Sequence, residues 1–118
     1  MKNIKIGSIK VSSLKEFVNS EMSLPEGINM AWIGQAGFII KFNQKIYVID
    51  PYLSDFLSKK YKGTIFPHIR LMPTPINPEE FDKLSYVFCT HAHSDHMDPE
   101  TVSIFSKKFI DCKFIPSK

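Results

Sequence analysis

The stretch "SYVFCTHAHSDHMDPE" places histidines and aspartates between an apolar segment and a helix start. Residues 85–90 have the composition of a strand buried on both sides. Asp98 followed by Pro99 is typical of a helix start, with Asp98 as its N-cap. A strand followed by a polar loop and a helix indicates an α/β fold. In open α/β sheets, ligands bind at the carboxyl ends of strands, which is where residues 91–96 lie.

The rest of the chain supplies further predicted elements. Segments 38–42 and 46–49 are rich in strand-forming residues and flank Asn43-Gln44, which predicts a hairpin. An apolar segment at 30–33 adds a third antiparallel strand. The remaining predicted elements are helices at 12–22, 53–61 and 98–108, one helical turn from Pro78, and a last strand at 112–115. Residues 62–78 contain four prolines and little periodicity, which is typical of a lid or binding loop.

The 118 residues are enough for one small domain with a core. We interpret residues 1–27 as an N-terminal extension with a short helix and residues 28–118 as the α/β unit. Hydrophobic residues make up 43% of the chain and charged residues 23%, so disorder is not expected.

Composition also bears on partners and location. The net charge of +3 is spread over scattered lysines, which disfavours nucleic acid as a partner. The two cysteines are too few for a disulfide framework. No apolar run reaches about 18 residues, so no membrane span or membrane partner is expected. The N-terminal residues do not resemble a signal peptide, and a cytoplasmic location is the expectation.

Imidazole and carboxylate groups are the ligands that suit zinc, manganese and iron. His91 and His93 are one residue apart, which directs both side chains to one side. The adjacent Asp95 and His96 then face a second ion. The spacing therefore predicts two metal half-sites, and two ions about 3.5–4 Å apart can clamp an oxyanion. A solvated polar loop, or a former site that no longer binds, is the alternative.

The segment "THAHSDH" resembles the His-x-His-x-Asp-His signature of the metallo-β-lactamase-fold hydrolases. "KIYVIDPYL" is similar to the earlier hairpin of that superfamily, whose final aspartate matches Asp50. "WIGQAGFIIKF", "RLMPTPINPEEF" and "VFCTHAHSDHMD" are similar to the L-ascorbate-6-phosphate lactonase branch. The resemblance extends from about Asn29 to Ile115.

This resemblance implies an αβ/βα sandwich of two halves, of which the chain matches the N-terminal half, with a mixed, mostly antiparallel sheet. The second half of such proteins supplies a third histidine, a bridging aspartate and a last histidine. No later residues of this chain match those three, so the resemblance implies an incomplete ligand set for two zinc or manganese ions. Catalysis by the chain alone is therefore not expected. An uncovered sheet face favours self-association or pairing with a second half.

The resemblance also assigns roles to single residues. Asp95 both ligates metal and orients the hydroxide that attacks a carbonyl carbon, as in a phosphorylated sugar lactone. Asp50 supports a ligand histidine, or is only a turn carboxylate before Pro51. Arg70 contacts a substrate phosphate or forms a surface ion pair. His68 is a loop residue that could also contact the small-molecule substrate.

Two other functions stay open at this stage. The same motif serves phosphodiesterases and nucleases, although the modest charge disfavours nucleic acid. The second alternative is an inactive half-domain that acts by pairing with another chain.

Overall fold

The computed structural model describes residues 5–19 and 27–117, in which a five-stranded sheet carries short helices. The helices are α1 (Leu14–Asn19), α2 (Phe56–Lys60) and α3 (Pro99–Lys108), with a 3₁₀ turn at Pro78–Glu80. The strands are β1 (Asn29–Gly34), β2 (Gly37–Phe42), β3 (Lys45–Ile49), β4 (Tyr86–Cys89) and β5 (Lys113–Pro116). The predicted α/β class and the order of its elements are confirmed.

The strands lie in chain order across the sheet. Strands β1, β2 and β3 are antiparallel neighbours because two short turns join them. Strands β3, β4 and β5 are parallel neighbours, since helical connections carry the chain back to the same edge each time. The sheet is therefore mixed, and the carboxyl ends of β3 and β4 meet at one edge.

The hairpin between β2 and β3 turns through two residues with left-handed backbone. Asn43 has φ of 49° and Gln44 has φ of 63°, and Phe42 pairs with Lys45 across the turn. Positive φ at both central residues is the mark of a type I′ turn, whose twist matches that of the strands. The predicted hairpin and its turn are confirmed.

One face of the sheet carries the hydrophobic core. Ile39, Val48 and Val87 are fully buried and lie in register across three strands. Phe17 of α1 and Phe105 of α3 complete the same cluster. The helices therefore cover this face of the sheet.

The opposite face is lined by apolar side chains and is open among the described residues. Tyr47 and Tyr86 stack there with ring centroids 5.2 Å apart, and Phe88 extends the stack. Trp32 and Met30 are exposed on the same face. The expectation that β4 is buried on both sides does not hold here, because Tyr86 and Phe88 are only half-buried.

Helix α3 matches its predicted bounds, whereas α1 and α2 begin later than the sequence pattern indicated. Helix α1 begins after Ser13, whose Oγ accepts a hydrogen bond from the Glu16 amide at 3.1 Å. The predicted continuation from residue 20 to Met22 lies outside the described residues. Helix α2 covers only five residues of the predicted 53–61 segment. No helix in the described ranges has both the length and the apolar character needed to cross a bilayer.

The type I′ turn provides a test of the hairpin. Replacing Gln44 with glycine removes the strain of left-handed backbone, and we expect the free energy of unfolding to rise by about 0.5–1 kcal/mol. Urea denaturation measures this change. The matched control is Lys45→Gly at the next position, where the strand backbone is extended and the same change should destabilise. A loss of stability with Gln44→Gly would contradict the turn assignment.

Candidate metal centre

The site is built where two parallel strands end side by side. Asp50 follows β3, and Thr90 follows β4. The Asp50 amide donates to the Phe88 carbonyl at 2.8 Å, which continues the parallel pairing past the last strand residue. The two side chains are thereby brought together at the carboxyl edge of the sheet.

The backbone of Asp50 is left-handed, with φ of 46°. Aspartate adopts this conformation more readily than most residues, at a cost of roughly 1 kcal/mol. The conformation redirects the chain into Pro51 while the Asp50 side chain, only 3% exposed, stays beneath the His/Asp loop. Hydrogen bonds to the carboxylate offset the strain.

The Asp50 carboxylate accepts three hydrogen bonds. The Thr90 amide donates to Oδ1 at 2.7 Å, and the Thr90 hydroxyl donates to Oδ2 at 2.7 Å. His96 Nδ1 contacts Oδ2 at 2.9 Å. Burial acts to raise the pKa of Asp50, but hydrogen bonds from His96 and Thr90 outweigh it, so the pKa lies below its usual value. Asp50 is therefore an ionised acceptor at neutral pH.

These bonds determine which ring nitrogens carry protons. An ionised carboxylate only accepts, so His96 Nδ1 must be the donor to Asp50. Thr90 gives its single hydroxyl proton to Asp50, so its oxygen accepts from His91 Nδ1 at 3.1 Å. In the neutral form of each ring, Nε2 is then the nitrogen without a proton. This is the nitrogen form that binds a metal ion.

The loop that carries the ligands is held at both ends. The amides of His96 and Met97 donate to the His93 carbonyl at 2.9 and 2.8 Å, which closes a tight turn. Asp98 then caps α3 by accepting from the Glu100 amide at 3.1 Å. The buried Asp98 side chain also accepts from the Thr101 hydroxyl. The predicted capping role of Asp98 is confirmed.

Three of the predicted ligands converge. His91, Asp95 and His96 each offer one ligand atom, and these atoms lie within 4.8 Å of one another. His96 Nε2 and Asp95 Oδ2 are 3.4 Å apart. In a tetrahedral site with bonds of about 2.0–2.1 Å, neighbouring ligands are about 3.3–3.4 Å apart. With a neutral His96 ring both atoms are acceptors, and a cation between them would relieve their repulsion; with a protonated ring the same contact is an ion pair. The donor set and its spacing therefore fit a divalent metal.

His93 lies beside this group rather than within it. Its exposed ring packs edge-on against the ring of His91, with centroids 4.7 Å apart. The sequence predicted one half-site from His91 and His93 and another from Asp95 and His96. The structure instead groups His91 with Asp95 and His96, and a metal role for His93 stays a prediction.

The two candidate substrate residues lie on the loop at 62–78. Arg70 Nη1 donates to the Tyr52 carbonyl at 2.7 Å, and Nε donates to the Met72 carbonyl at 3.1 Å. The guanidinium also lies over the Tyr52 ring at 4.9 Å. His68 is exposed and packs on Tyr61, with ring centroids 4.4 Å apart. Arg70 thus anchors its loop, and phosphate contact by either residue stays a prediction.

Cys89 lies one residue before Thr90 but takes no part in the ligand group of the described residues. Burial raises the pKa of the Cys89 thiol to about 11, and the nearby Asp50 carboxylate adds to the shift. Burial likewise raises the pKa of Cys112 to about 11. Both thiols are therefore protonated at neutral pH, which disfavours thiolate ligation.

Thr90 is the site residue that the sequence analysis did not identify. It links the carboxylate of Asp50 to the ring of His91. Its position directly before the first histidine of the motif is a signal that could have indicated this role.

Comparisons with known proteins assign no family to the chain. No protein-family model matches the chain. The chain is 34% identical over 77 residues to the mitochondrial N-acyl-phosphatidylethanolamine-hydrolyzing phospholipase D of Saccharomyces cerevisiae, covering 65% of this chain and 16% of that protein. Igni18, a metallo hydrolase from the archaeon Ignicoccus hospitalis, has 23% identity and a TM-score of 0.44, with 74% of this chain and 30% of Igni18 covered. The chain thus spans less than a third of either protein.

The hydrogen bonds of Asp50 generate a prediction that needs no metal. Asp50→Asn leaves one side-chain oxygen, which cannot accept from both the Thr90 amide and His96 Nδ1, and places an NH2 group at the other position. With that oxygen on the Thr90 amide, His96 Nδ1 faces a donor, so we expect His96 to lose its single tautomer. The free energy of unfolding should fall by about 1–3 kcal/mol. Nitrogen-15 NMR of the imidazole rings and urea denaturation measure the two effects. Asp55→Asn is the control, since that exposed carboxylate lies on the same connection and makes no side-chain cap. An unchanged His96 tautomer in Asp50→Asn would refute the assignment.

Proposed function

We propose that this chain carries part of the active site of a metal-dependent hydrolase that opens a lactone ring in a phosphorylated sugar. The observation that supports this best is the convergence of His91, Asp95 and His96, with both histidines held in the metal-binding tautomer. The resemblance of the His-x-His-x-Asp-His segment to metallo-hydrolases agrees with it.

The residues divide the chemistry between them. A bound divalent ion, zinc or manganese in this proposal, supplies Lewis acidity and lowers the pKa of water near the site. His91 and His96 would hold that ion through Nε2. The carboxylate of Asp95 would bind alongside them and orient the attacking water. Asp50 and Thr90 keep both rings fixed, so little reorganisation is needed when the ion enters.

The lactone substrate is the finer part of the proposal and rests on the resemblance to the lactonase branch. Arg70 is the candidate for a substrate phosphate. Two of its nitrogens bind backbone carbonyls, and Nη2 lies against Gly34 at the end of β1. The guanidinium is thus already oriented at the edge where the strands end.

Three candidate ligands are enough to hold one metal ion but too few to hold two ions. We propose that the second ion and the remaining ligands depend on residues from another segment or another chain. The open apolar face of the sheet supports such a pairing, because it offers Tyr47, Tyr86 and Phe88 to a covering layer. The same open face supports a second candidate function, a non-catalytic half-domain that acts by pairing with another chain. We retain the cytoplasm as the proposed location.

A phosphodiester substrate is the alternative for the same metal centre. The yeast relative is named for hydrolysing a phospholipid, N-acyl-phosphatidylethanolamine. A metal clamp that stabilises an oxyanion on carbon can also stabilise one on phosphorus. Because the same ligand cluster suits both reactions, lactones and phosphodiesters both have to be offered as substrates.

Metal titration tests the ligand group. We expect zinc and manganese to bind to the wild type, and binding to be lost in His91→Ala, Asp95→Ala and His96→Ala. Calorimetry with elemental analysis measures affinity and stoichiometry. His68→Ala and Asp111→Ala are the matched controls, since both residues are exposed and lie outside the group. If His93→Ala loses metal binding to the same extent as the three ligand variants, His93 becomes a ligand when the metal binds. Unchanged binding in all three ligand variants would reject the site.

Ring opening tests the reaction. We expect hydrolysis of a phosphorylated sugar lactone, monitored through the proton released, when the metal-loaded chain is combined with the segment or chain that supplies the remaining ligands. In Asp95→Asn the metal loses a charged ligand and the water loses the carboxylate that orients it, so kcat should fall by about 10²-fold or more. Asp111→Asn should retain full activity. Hydrolysis of a phosphodiester without lactone opening would favour the alternative, and no turnover of either substrate would favour the non-catalytic candidate.

A further inference from the structure

A second feature of the molecule lies on the connection between α2 and the 3₁₀ turn. We call residues 63–72 the apolar loop. Four large apolar side chains protrude from it: Ile65 is 89% exposed, Phe66 74%, Ile69 71% and Leu71 104%. Single exposed apolar residues are common, but four within seven positions form a patch that marks an interaction site.

The backbone of the apolar loop is held while these side chains point outward. Tyr61 packs on His68, which joins the two sides of the loop at a ring distance of 4.4 Å. Arg70 binds the carbonyls of Tyr52 and Met72 and so fixes the far end. The side chains are therefore presented from a defined base and do not fold back into the core.

The sequence around the apolar loop is basic, and the exposed Asp55 is an acidic residue that borders it beside Ile69 and Leu71. Between Asp55 and Glu79 the sequence contains no acidic residue, and it contains three lysines and Arg70. Lys59 is paired with Glu100 at 3.0 Å, whereas Lys60 and Lys62 are exposed and make no ion pair within the described residues. An apolar tip flanked by cations complements a surface that is apolar inside and anionic outside.

The base of the apolar loop also has a defined place in the fold. Arg70 contacts Tyr52, two residues after β3, and lies against Gly34 at the end of β1. Strands β1 and β3 run in the same direction, because each is antiparallel to β2. The loop is thus rooted at the carboxyl edge of the sheet, the edge that also carries His91 and His96.

We propose that the apolar loop docks on the surface of an anionic lipid bilayer. Ile65, Phe66, Ile69 and Leu71 insert at the boundary of the acyl chains, and Lys60 and Lys62 contact the headgroups. Lysine is depleted from protein–protein interfaces. Beside protruding apolar side chains it suits a bilayer, because its apolar stem lies along the apolar region while its charged head stays at the headgroups. This proposal replaces the expectation that the protein has no membrane partner, and it does not depend on the metal centre.

Vesicle flotation tests the docking. We expect the chain to float with vesicles of phosphatidylcholine and phosphatidylserine, to bind phosphatidylcholine alone more weakly, and to dissociate as salt rises. Phe66→Ser with Leu71→Ser should weaken binding by about tenfold or more. Lys60→Glu with Lys62→Glu should remove the preference for anionic vesicles. The controls are Ile110→Ser, a residue 90% exposed outside the loop, and Lys45→Glu in the hairpin.

A depth measurement separates the loop from the open sheet face. Trp32 is the only tryptophan and lies on that face, so Phe66→Trp in a Trp32→Phe background places the sole indole in the apolar loop. We expect its emission to shift to the blue with anionic vesicles and to be quenched by brominated lipid. The proposal is overturned if flotation is absent or is the same in the Phe66/Leu71 variant. It is equally overturned if that variant changes only the oligomeric state in sedimentation, since the loop would then be a protein interface.

Discussion

The carboxylate of Asp50 is the interaction on which the candidate site depends. It lies at the end of one strand and accepts from Thr90 at the end of the neighbouring strand, and from His96 in the loop between β4 and α3. A single buried anion thus joins three parts of the chain. It also determines, directly for His96 and through Thr90 for His91, which ring nitrogen is available to a metal. Without it, the histidines would be near one another but would not be oriented.

The elements that could be predicted from the sequence are those specified by local patterns. The hairpin around Asn43, the N-cap at Asp98 and the order of strands follow from turn chemistry, capping and periodicity, which act over a few residues. The likeness to a known motif predicted the candidate ligand cluster in the same way. Asp50 as the support of a histidine was also anticipated, and its contact with His96 agrees with that role.

What could not be predicted depends on tertiary placement. Thr90 gains its role only because β3 and β4 end side by side. His93 lies beside the group of His91, Asp95 and His96, in a loop whose tight turn is closed on the His93 carbonyl, and its spacing from His91 did not indicate this. Trp32 is a large aromatic residue of the type usually found in a core, yet it is exposed on the uncovered sheet face. The sequence predicts a lid or binding loop at residues 62–78, but the exposure of its apolar side chains is seen only in the structure.

The left-handed backbone at Asp50 limits how this position can change. Glycine and asparagine adopt that conformation at low cost, but neither provides a carboxylate. Glutamate provides the charge on a longer side chain that cannot occupy the same buried space beneath His96 without moving the loop. None of these substitutions provides both the left-handed backbone and a short carboxylate side chain at this position. A change at Asp50 therefore removes either the carboxylate beneath His96 or the backbone conformation that places it there.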